Sequence, residues 1–288
     1  MSKRPAATLS CHCQKVQLAF PSHPVSFLEC CCCDCRRAVD WCAEQWQKRR
    51  PQQESALNGD VSAKVTPSTT PRCLAVPLLY FPNRLRVVQG ASHLQLYMLR
   101  PGYNTRRWVA TCCWTPLVGD HPAYQRRRLV SYVQGDTSKD HCHPLSQVAL
   151  WAADGTVLHL PPPARRIFTD DLTAQELESL DPLPKNSDIR EPPTSQPRNE
   201  ATNSALRLPP ATVAKTIVTD ASLQSLDQEF PDYASLQLLV QDFPLQYMLR
   251  DDEAECLSSP TTTCKLPHWN RLNPRLPSHE GQRGEETG

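Results

Sequence analysis

Hydrophobic residues in the first half of the chain lie mainly at every second position. Two triplets show this spacing most clearly: Val16, Leu18 and Phe20, and Leu94, Leu96 and Met98. Residues 76–81 and 84–88 are also rich in β-forming residues. A period of two places alternate side chains on opposite faces, as in a half-buried strand. The pattern therefore predicts a mainly β fold built on a small antiparallel domain.

We predict two helices in the second half of the chain. Four apolar residues stand at helical spacing between Pro231 and Pro244: Leu236, Leu239, Val240 and Phe243. They predict a helix packed on the core. Thr173 and Glu176 have the spacing of a capping box and predict a short second helix. A five-residue echo between residues 96–100 and 246–250 is too short to establish a repeat, and we attribute it to chance.

Proline and polar residues divide the rest of the chain. Residues 161–220 contain ten prolines and one aromatic residue, a composition that buries too little apolar surface to fold, so we assign a linker there. Residues 47–72 are polar and predict a loop inserted in a β domain of residues 8–135. We predict a possible helical segment at residues 221–250 and an irregular tail at residues 251–288. The C-terminal region is therefore predicted to be proline-rich, partly helical and largely irregular.

Charge is distributed unevenly over the 288 residues. Residues 1–135 hold 18 Lys and Arg against 7 Asp and Glu, whereas residues 136–288 hold 13 against 23. The two halves therefore have opposite sign. No apolar run is long enough to span a membrane, and no apolar signal segment follows Met1. We expect a reducing compartment, the cytoplasm or alternatively the nucleus, in which cysteines bind zinc or stay free rather than form disulfides.

Twelve of the fourteen cysteines lie between Cys11 and Cys142, and most of them fall in three clusters. The clusters are Cys11-His12-Cys13, the run Cys30-Cys31-Cys32-Cys33-Asp34-Cys35, and Cys112-Cys113. Thiolates are soft ligands, and a tetrahedral zinc takes four of them, often in pairs from two turns. Cys11 and Cys13 with Cys112 and Cys113 would form such a closed structural site. Its binding free energy would contribute to folding.

The middle cluster has a different ligand pattern. Cys30, Cys32 and Cys35 supply three ligands from one short segment and leave a fourth position open for chemistry. A zinc ion there can bind a substrate sulfur or oxygen and polarise a carbonyl. Arg36 and Arg37 follow directly and can offset thiolate charge or bind a carboxylate.

Four segments in this order resemble the CENP-V/GFA family, the glutathione-dependent formaldehyde-activating enzyme and its relatives. They are Cys11-x-Cys13, the run from Cys30 to Arg37, Leu85-Arg86-Val87-Val88-x-Gly90, and Arg107-Trp108-x-Ala110-x-Cys112-Cys113-x-Thr115-Pro116-Leu117. They cover roughly residues 8 to 120, less than half of the chain. The resemblance implies a β-tent domain with two zinc ions, and carbon–sulfur lyase chemistry on a glutathione adduct such as a formaldehyde hemithioacetal. It implies catalytic ligands at Cys30, Cys32 and Cys35 and structural ones at Cys11 and Cys13.

This chain departs from the family pattern in the third element, which is usually Cys-x-x-Cys-Gly-Thr-Pro. Ala110 stands at its first position, so the ligands would be the adjacent Cys112 and Cys113. Gln14 and Trp114 replace the glycines that normally follow the knuckle cysteines, so these turns lack glycine's free access to positive φ. We therefore expect a variant subgroup of the family.

Several cysteines and histidines also have simpler interpretations. One of Cys112 and Cys113 can be a buried hydrophobic residue instead of a ligand, although we favour at least one ligand. Cys31 and Cys33 are expected to have no metal role, and Cys42 and Cys73 to be isolated thiols. His12 is expected to face solvent or to act as a second-shell donor. The motif His141-Cys142-His143 is expected to lie in an exposed loop.

Two other functional classes are compatible with the sequence. Basic clusters around Arg107 and Arg127 usually form a solvated face, but they can steer glutathione carboxylates or attract a nucleic-acid backbone. The first alternative is thus a non-catalytic zinc module that binds nucleic acid or protein through a basic surface. We also consider that the acidic second half covers that surface. The second alternative is a redox sensor that uses residues 30–35.

Overall fold

The computed structural model describes residues 4–58, 73–134, 145–160, 163–183 and 218–249. The described residues up to Met248 form one compact unit. The predicted tail at 251–288 and most of the predicted linker lie outside the described residues, as does the His141-Cys142-His143 motif. No helix among the described residues is long and apolar enough to cross a membrane.

Five strands of the described residues form an antiparallel sheet in the order β11-β10-β1-β2-β5. Their bounds are β1 Ala7–Ser10, β2 Gln17–Phe20, β5 Arg86–Gln89, β10 Gln147–Trp151 and β11 Val157–Leu158. β1 lies at the centre and pairs with β2 and β10, with Leu9 opposite Leu18 and Val148.

Eight further strands form a second sheet in the order β12-β3-β4-β9-β8-β7-β6-β13. Their bounds are β3 Ser26–Cys30, β4 Val76–Pro82, β6 Leu94–Met98, β7 Arg106–Ala110, β8 Thr115–Asp120, β9 Arg128–Tyr132, β12 Arg166–Ile167 and β13 Leu245–Tyr247. The two edge strands, β12 and β13, pair parallel to their neighbours. The remaining pairs are antiparallel, so the prediction of a mainly β fold is confirmed.

The period-two segments of the sequence all form strands. The triplet ending at Phe20 lies in and next to β2, and the triplet beginning at Leu94 forms β6. The β-rich segments form β4 and β5. Their apolar side chains join one hydrophobic cluster, in which Phe20 of β2 stacks on Phe81 of β4 with ring centroids 4.1 Å apart.

A long helix, α1 at Cys33–Asn58, begins directly after the second cysteine cluster. The predicted loop at 47–72 is therefore wrong over residues 47–58, while residues 59–72 lie outside the described part. The helix forms because Val39, Cys42 and Trp46 recur at helical spacing and pack on the hydrophobic clusters of the sheets.

Three short helices follow in the second half: α2 Ala174–Glu178, α3 Asp220–Glu229 and α4 Leu236–Leu239. The capping box predicted at Thr173 and Glu176 is confirmed, because each residue's side chain accepts a hydrogen bond from the other's backbone amide. The helix predicted between Pro231 and Pro244 is only one turn long, because Ala234 pairs with Leu85 and Ser235 caps the helix, which begins at Leu236 and ends at Leu239.

The compact unit is larger than the β domain predicted at 8–135. Strands β10 to β13 all lie beyond residue 135, and β12 lies inside the segment predicted as linker. Hydrophobic periodicity missed β11 to β13 because strands of two or three residues are too short to show a period. The predicted boundary therefore divides a continuous sheet.

Acidic residues of the C-terminal segment pair with basic residues of the β sheets. Asp227 of α3 forms a two-point ion pair with Arg84, and Asp220 forms another with Arg127 at 2.7 Å. Asp232 lies 3.9 Å from Arg86. The opposite charges of the two halves are thus brought together within one compact unit, where exposed pairs of this kind stabilise by about 1 kcal/mol or less each.

Candidate metal centres

Cys11, Cys13, Cys112 and Cys113 come together in a four-sulfur group whose sulfur atoms all lie within 4.8 Å of one another. The Sγ of Cys11 is 3.6 Å from that of Cys13 and 3.7 Å from that of Cys112. The Sγ atoms of Cys13 and Cys112 are 3.4 Å apart, and those of Cys112 and Cys113 are 4.0 Å apart. A zinc ion with four sulfurs at ~2.3 Å requires sulfur–sulfur edges of about 3.8 Å, so the group has the size of a tetrahedral thiolate site.

Two tight turns position these four sulfurs. The first follows β1, where the amide of Gln14 donates to the Cys11 carbonyl and the amide of Val16 donates to the Cys11 sulfur. The second joins β7 to β8, where the Cys113 amide donates to the Ala110 carbonyl. The Thr115 hydroxyl lies 3.0 Å from the Cys113 sulfur and accepts a hydrogen bond from the His12 amide, so it links the two turns.

Gln14 and Trp114 adopt positive φ angles of 62° and 53°, the conformation that glycine would take at these positions. The turns therefore keep glycine's geometry with side chains in place, at a cost on the order of 1 kcal/mol each. Trp114 offsets part of this cost because its ring packs edge-on against Trp41 at 5.4 Å.

Without a metal ion, the closely spaced thiols of this group resist deprotonation. Burial, with the neighbouring sulfurs adding, raises the pKa of the Cys112 thiol to about 12. The Cys11 sulfur raises the pKa of Cys113, and burial adds to this. A bound cation reverses this balance by stabilising the deprotonated sulfurs. The group could therefore hold a metal ion, and both Cys112 and Cys113 contribute a sulfur to it.

Cys30, Cys32 and Cys35 form a second group, whose three sulfurs also lie within 4.8 Å of one another. The Sγ atoms of Cys30 and Cys32 are 3.3 Å apart, and the Cys35 amide donates to the Cys32 sulfur at 3.4 Å. Cys30 ends strand β3 and is buried, while Cys32 and Cys35 are partly exposed. Among the described residues no fourth Cys, His, Asp or Glu joins this group.

The N-terminus of α1 is held in place by residues from the segment predicted as linker. The Asp171 carboxylate accepts a hydrogen bond from the Cys33 amide at 3.1 Å, which caps the helix and is favoured by its dipole. The Cys31 amide donates to the Ile167 carbonyl in strand β12. Residues 167–171 therefore fix the backbone on which the three sulfurs are carried.

Arg107 is a buried charge beside the three-sulfur group. It lies in β7, is 1% exposed, and its Nε donates to the Tyr132 hydroxyl at 2.9 Å. Burial alone would lower the pKa of its guanidinium, but Tyr132, Cys35 and Asp34 outweigh burial and raise it. The sequence assigned Arg107 to a solvated basic cluster, which the structure contradicts because its strand is buried between other elements.

The same charges act on the thiols and on Asp34. Hydrogen bonds from Cys30 and Cys32 lower the pKa of the Cys35 thiol well below its usual value, and the charge of Arg107 lowers it further. Burial raises the pKa of Asp34 to about 6, with the negative charge of Cys32 adding and Arg107 opposing. Arg107 therefore offsets negative charge in this group, a role that we predicted for Arg36 and Arg37 from their positions next to Cys35.

Three tyrosines surround the three-sulfur group: Tyr80 of β4, Tyr124 and Tyr132 of β9. The hydroxyls of Tyr80 and Tyr124 lie 3.4 Å apart, and Tyr124 also contacts the ring of His121. Burial raises the pKa of all three phenols, and the charges of nearby cysteines add to it. The phenols therefore stay protonated at neutral pH and can donate hydrogen bonds.

The residues predicted to bind the substrate have other contacts. Arg36 forms an ion pair of 3.2 Å with Glu176 of α2. Arg37 lies in the first turns of α1 and is partly buried. Sequence reasoning missed the tyrosines and the buried position of Arg107; the one signal for the latter was an Arg directly before the apolar run Trp108-Val109-Ala110 of a strand.

The remaining cysteines lie outside both groups. Cys31 is buried, and burial raises the pKa of its thiol to about 12, so it is an unreactive thiol near neutral pH. Cys42 is buried and Cys73 partly buried, and neither belongs to a described metal-ligand group. His12 is exposed, as expected, with its ring 6.4 Å from that of Trp46.

Comparison of the chain with protein families, curated proteins and solved structures finds no match.

Proposed function

We propose that the protein is a zinc-dependent carbon–sulfur lyase-like enzyme that acts on a thiol adduct of the formaldehyde hemithioacetal type, with glutathione as a candidate thiol. One observation carries the proposal. The described residues contain two groups of cysteine sulfurs, one with four sulfurs and one with three. Four thiolates fill a tetrahedral zinc site, whereas three leave one position for a substrate atom.

The residues present fit zinc at both groups. Sulfur–sulfur distances of 3.3–4.0 Å fit a metal ion bound tetrahedrally by thiolates. Soft sulfur donors favour zinc over magnesium or calcium. Three thiolates around one divalent ion leave a net negative charge, and the buried Arg107 guanidinium lies where it offsets that charge. A zinc ion at Cys30, Cys32 and Cys35 would supply Lewis-acid activation of a substrate thiol or carbonyl.

The surrounding side chains support adduct formation. The thiol first loses its S–H proton to solvent; its sulfur then attacks the aldehyde carbon, a carbon–sulfur bond forms and the carbonyl π pair moves to oxygen, which must gain a proton. Tyr124 lies within hydrogen-bond distance of Tyr80 and keeps its proton because burial raises its pKa, so its phenol can stabilise that oxygen by donating a hydrogen bond while the proton itself comes from solvent. Arg107 keeps the site's charge balanced while sulfur charge changes.

The alternative of a basic binding surface loses support from the ion pairs. Arg84, Arg127 and Arg36 are each engaged by an acidic residue from the second half of the chain. A nucleic-acid backbone would have to displace these carboxylates before it could use the same guanidinium groups. We therefore rank the alternative below the lyase proposal.

The test measures zinc and turnover on the same full-length protein. Zinc-loaded protein is expected to contain about two ions per chain and to accelerate the interconversion of formaldehyde plus glutathione with the adduct. Cys32→Ser should lose one ion and the activity. Cys73→Ser, which changes a cysteine outside both groups, should retain both.

Two results would overturn the proposal. One is a zinc-loaded protein that leaves the rate of adduct formation and breakdown unchanged. The other is full turnover by Cys32→Ser with the second ion absent.

A further inference from the structure

One face of the eight-stranded sheet carries both the three-sulfur group and an unusual arginine. Cys30 of β3 and Ile167 of β12 are partners in the parallel register. Side chains alternate along extended chain, so Arg165, two residues before Ile167, lies on the same face as Cys30. Backbone pairing continues to this residue, because the Glu29 amide donates to the Arg165 carbonyl at 3.0 Å.

Two nitrogens of the Arg165 guanidinium, Nε and Nη2, are covered by protein but have no hydrogen-bond acceptor among the described residues. Leaving buried donors of a charged group without acceptors costs free energy that an arriving anion would recover. Arg165 as a whole is only partly buried.

The carboxylate on the neighbouring strand is already engaged. Glu29 points to the opposite face of β3, where it forms an ion pair of 2.6 Å with Arg166. Arg165 interacts electrostatically with Tyr80, whose hydroxyl meets that of Tyr124. Arg165 therefore brings a positive charge and free donors to the tyrosines beside the three sulfurs.

We propose that Arg165, together with Tyr80 and Tyr124, binds a carboxylate of the thiol substrate and so makes the three-sulfur group selective for acidic thiols. The inference rests on the proposed function, because it assumes that a thiol enters this group. A guanidinium and two phenol hydroxyls match the acceptor oxygens of a carboxylate. A neutral thiol would gain none of these hydrogen bonds.

The experiment compares two thiols that differ in one group, 3-mercaptopropionate and its amide, 3-mercaptopropanamide. Their binding to zinc-loaded full-length protein is measured by titration calorimetry. The acid is expected to bind roughly tenfold more tightly than the amide, the size of one charge-assisted hydrogen bond.

Two variants assign the effect to the guanidinium. Arg165→Gln should bind both thiols equally, and Arg165→Lys, which keeps the charge but loses the planar fork, should retain part of the preference. The control is Arg106→Gln, which removes an exposed arginine from strand β7 and should leave the tenfold preference unchanged.

The outcomes separate this inference from the proposal beneath it. Equal binding of acid and amide by the wild-type protein would overturn the carboxylate site and leave the thiol site standing. A tenfold preference that survives in Arg165→Gln would also overturn it. If neither thiol binds, the proposed function fails, and this inference fails with it.

Discussion

The two sulfur groups differ in how the chain assembles them. The four-sulfur group joins two turns about one hundred residues apart, whereas the three-sulfur group comes from six consecutive residues at the junction of β3 and α1. A metal at the first closes a long loop and so contributes to folding, while a metal at the second constrains little chain. Structural and chemical roles are therefore expected to separate between them.

The surroundings of the two groups differ as well. The four-sulfur group is contacted by backbone amides and the Thr115 hydroxyl. The three-sulfur group lies beside a buried guanidinium, three phenols and the carboxyl of Asp34. Ionisable groups with shifted pKa values are concentrated at reactive sites, so this difference favours chemistry at the second group.

The largest expected effect comes from removing one sulfur of each group. Cys13→Ser should lower the free energy of unfolding by several kcal/mol, because an exposed sulfur contributes through the metal rather than through packing. Cys32→Ser should keep the fold and lose one zinc ion. Thermal unfolding measures the stability of each variant, and metal analysis measures its zinc content per chain. A stable Cys13→Ser variant together with an unfolded Cys32→Ser variant would refute the division of roles.

Cysteine labelling of the metal-free protein should separate reactive from inert thiols within residues 30–35. Cys35, whose pKa is lowered by its cysteine neighbours, carries a larger thiolate fraction than an ordinary cysteine, whereas Cys31, with a pKa of about 12, is roughly one part in 10⁵ thiolate at pH 7. Iodoacetamide at pH 7 followed by peptide mass spectrometry should therefore modify Cys35 long before Cys31. Labelling of Cys31 should increase as pH rises toward 12. Equal labelling of Cys31 and Cys35 at pH 7 would contradict the difference between their pKa values.

Arg107→Met should weaken zinc binding at the three-sulfur group and lower the stability of the protein. Removing a buried positive charge beside thiolates is expected to destabilise the protein by about 3 kcal/mol and to weaken zinc binding at Cys30, Cys32 and Cys35. Tyr132→Phe, the control, removes only the hydroxyl that accepts from Arg107 and should cost about 1 kcal/mol. Unchanged zinc content and stability in Arg107→Met would show that its charge is not needed.

The smallest expected effect concerns the turn of the four-sulfur group. Gln14→Gly should stabilise the protein by roughly 0.5 kcal/mol, because relief of a positive φ exceeds the added flexibility of the unfolded chain. The matched control Gln17→Gly lies in strand β2 and should destabilise by a similar amount. Urea unfolding measures both, and a destabilised Gln14→Gly would show that the turn carries no such strain.

Local chemistry explains what the sequence predicted well. Ligand spacing, period-two alternation and the Thr173 capping box are properties of neighbouring residues, so both sulfur groups, four strand segments and helix α2 could be found. Helix α1 has an equally local signal in the helical spacing of Val39, Cys42 and Trp46, although polar composition predicts a loop from residue 47 onward.

The rest depends on contacts between distant residues, which no local pattern contains. Arg107 is buried because Tyr132, 25 residues later, accepts its hydrogen bond. Asp171 caps a helix that begins 138 residues earlier, although it lies in a segment whose composition predicts a linker. A proline-rich composition therefore concealed residues that position the candidate site.

The parallel pairing of β13 with β6 has a consequence for truncated forms of the protein. Residues 246–250 repeat most of residues 96–100, and Gln246 lies opposite Tyr97 in the paired strands. A chain cut before Leu245 would leave the amides and carbonyls of β6 unpaired along an open edge, where a second molecule could add its own strand. Shortened proteins should therefore aggregate, and a synthetic peptide of residues 244–250 should suppress that aggregation by occupying the edge.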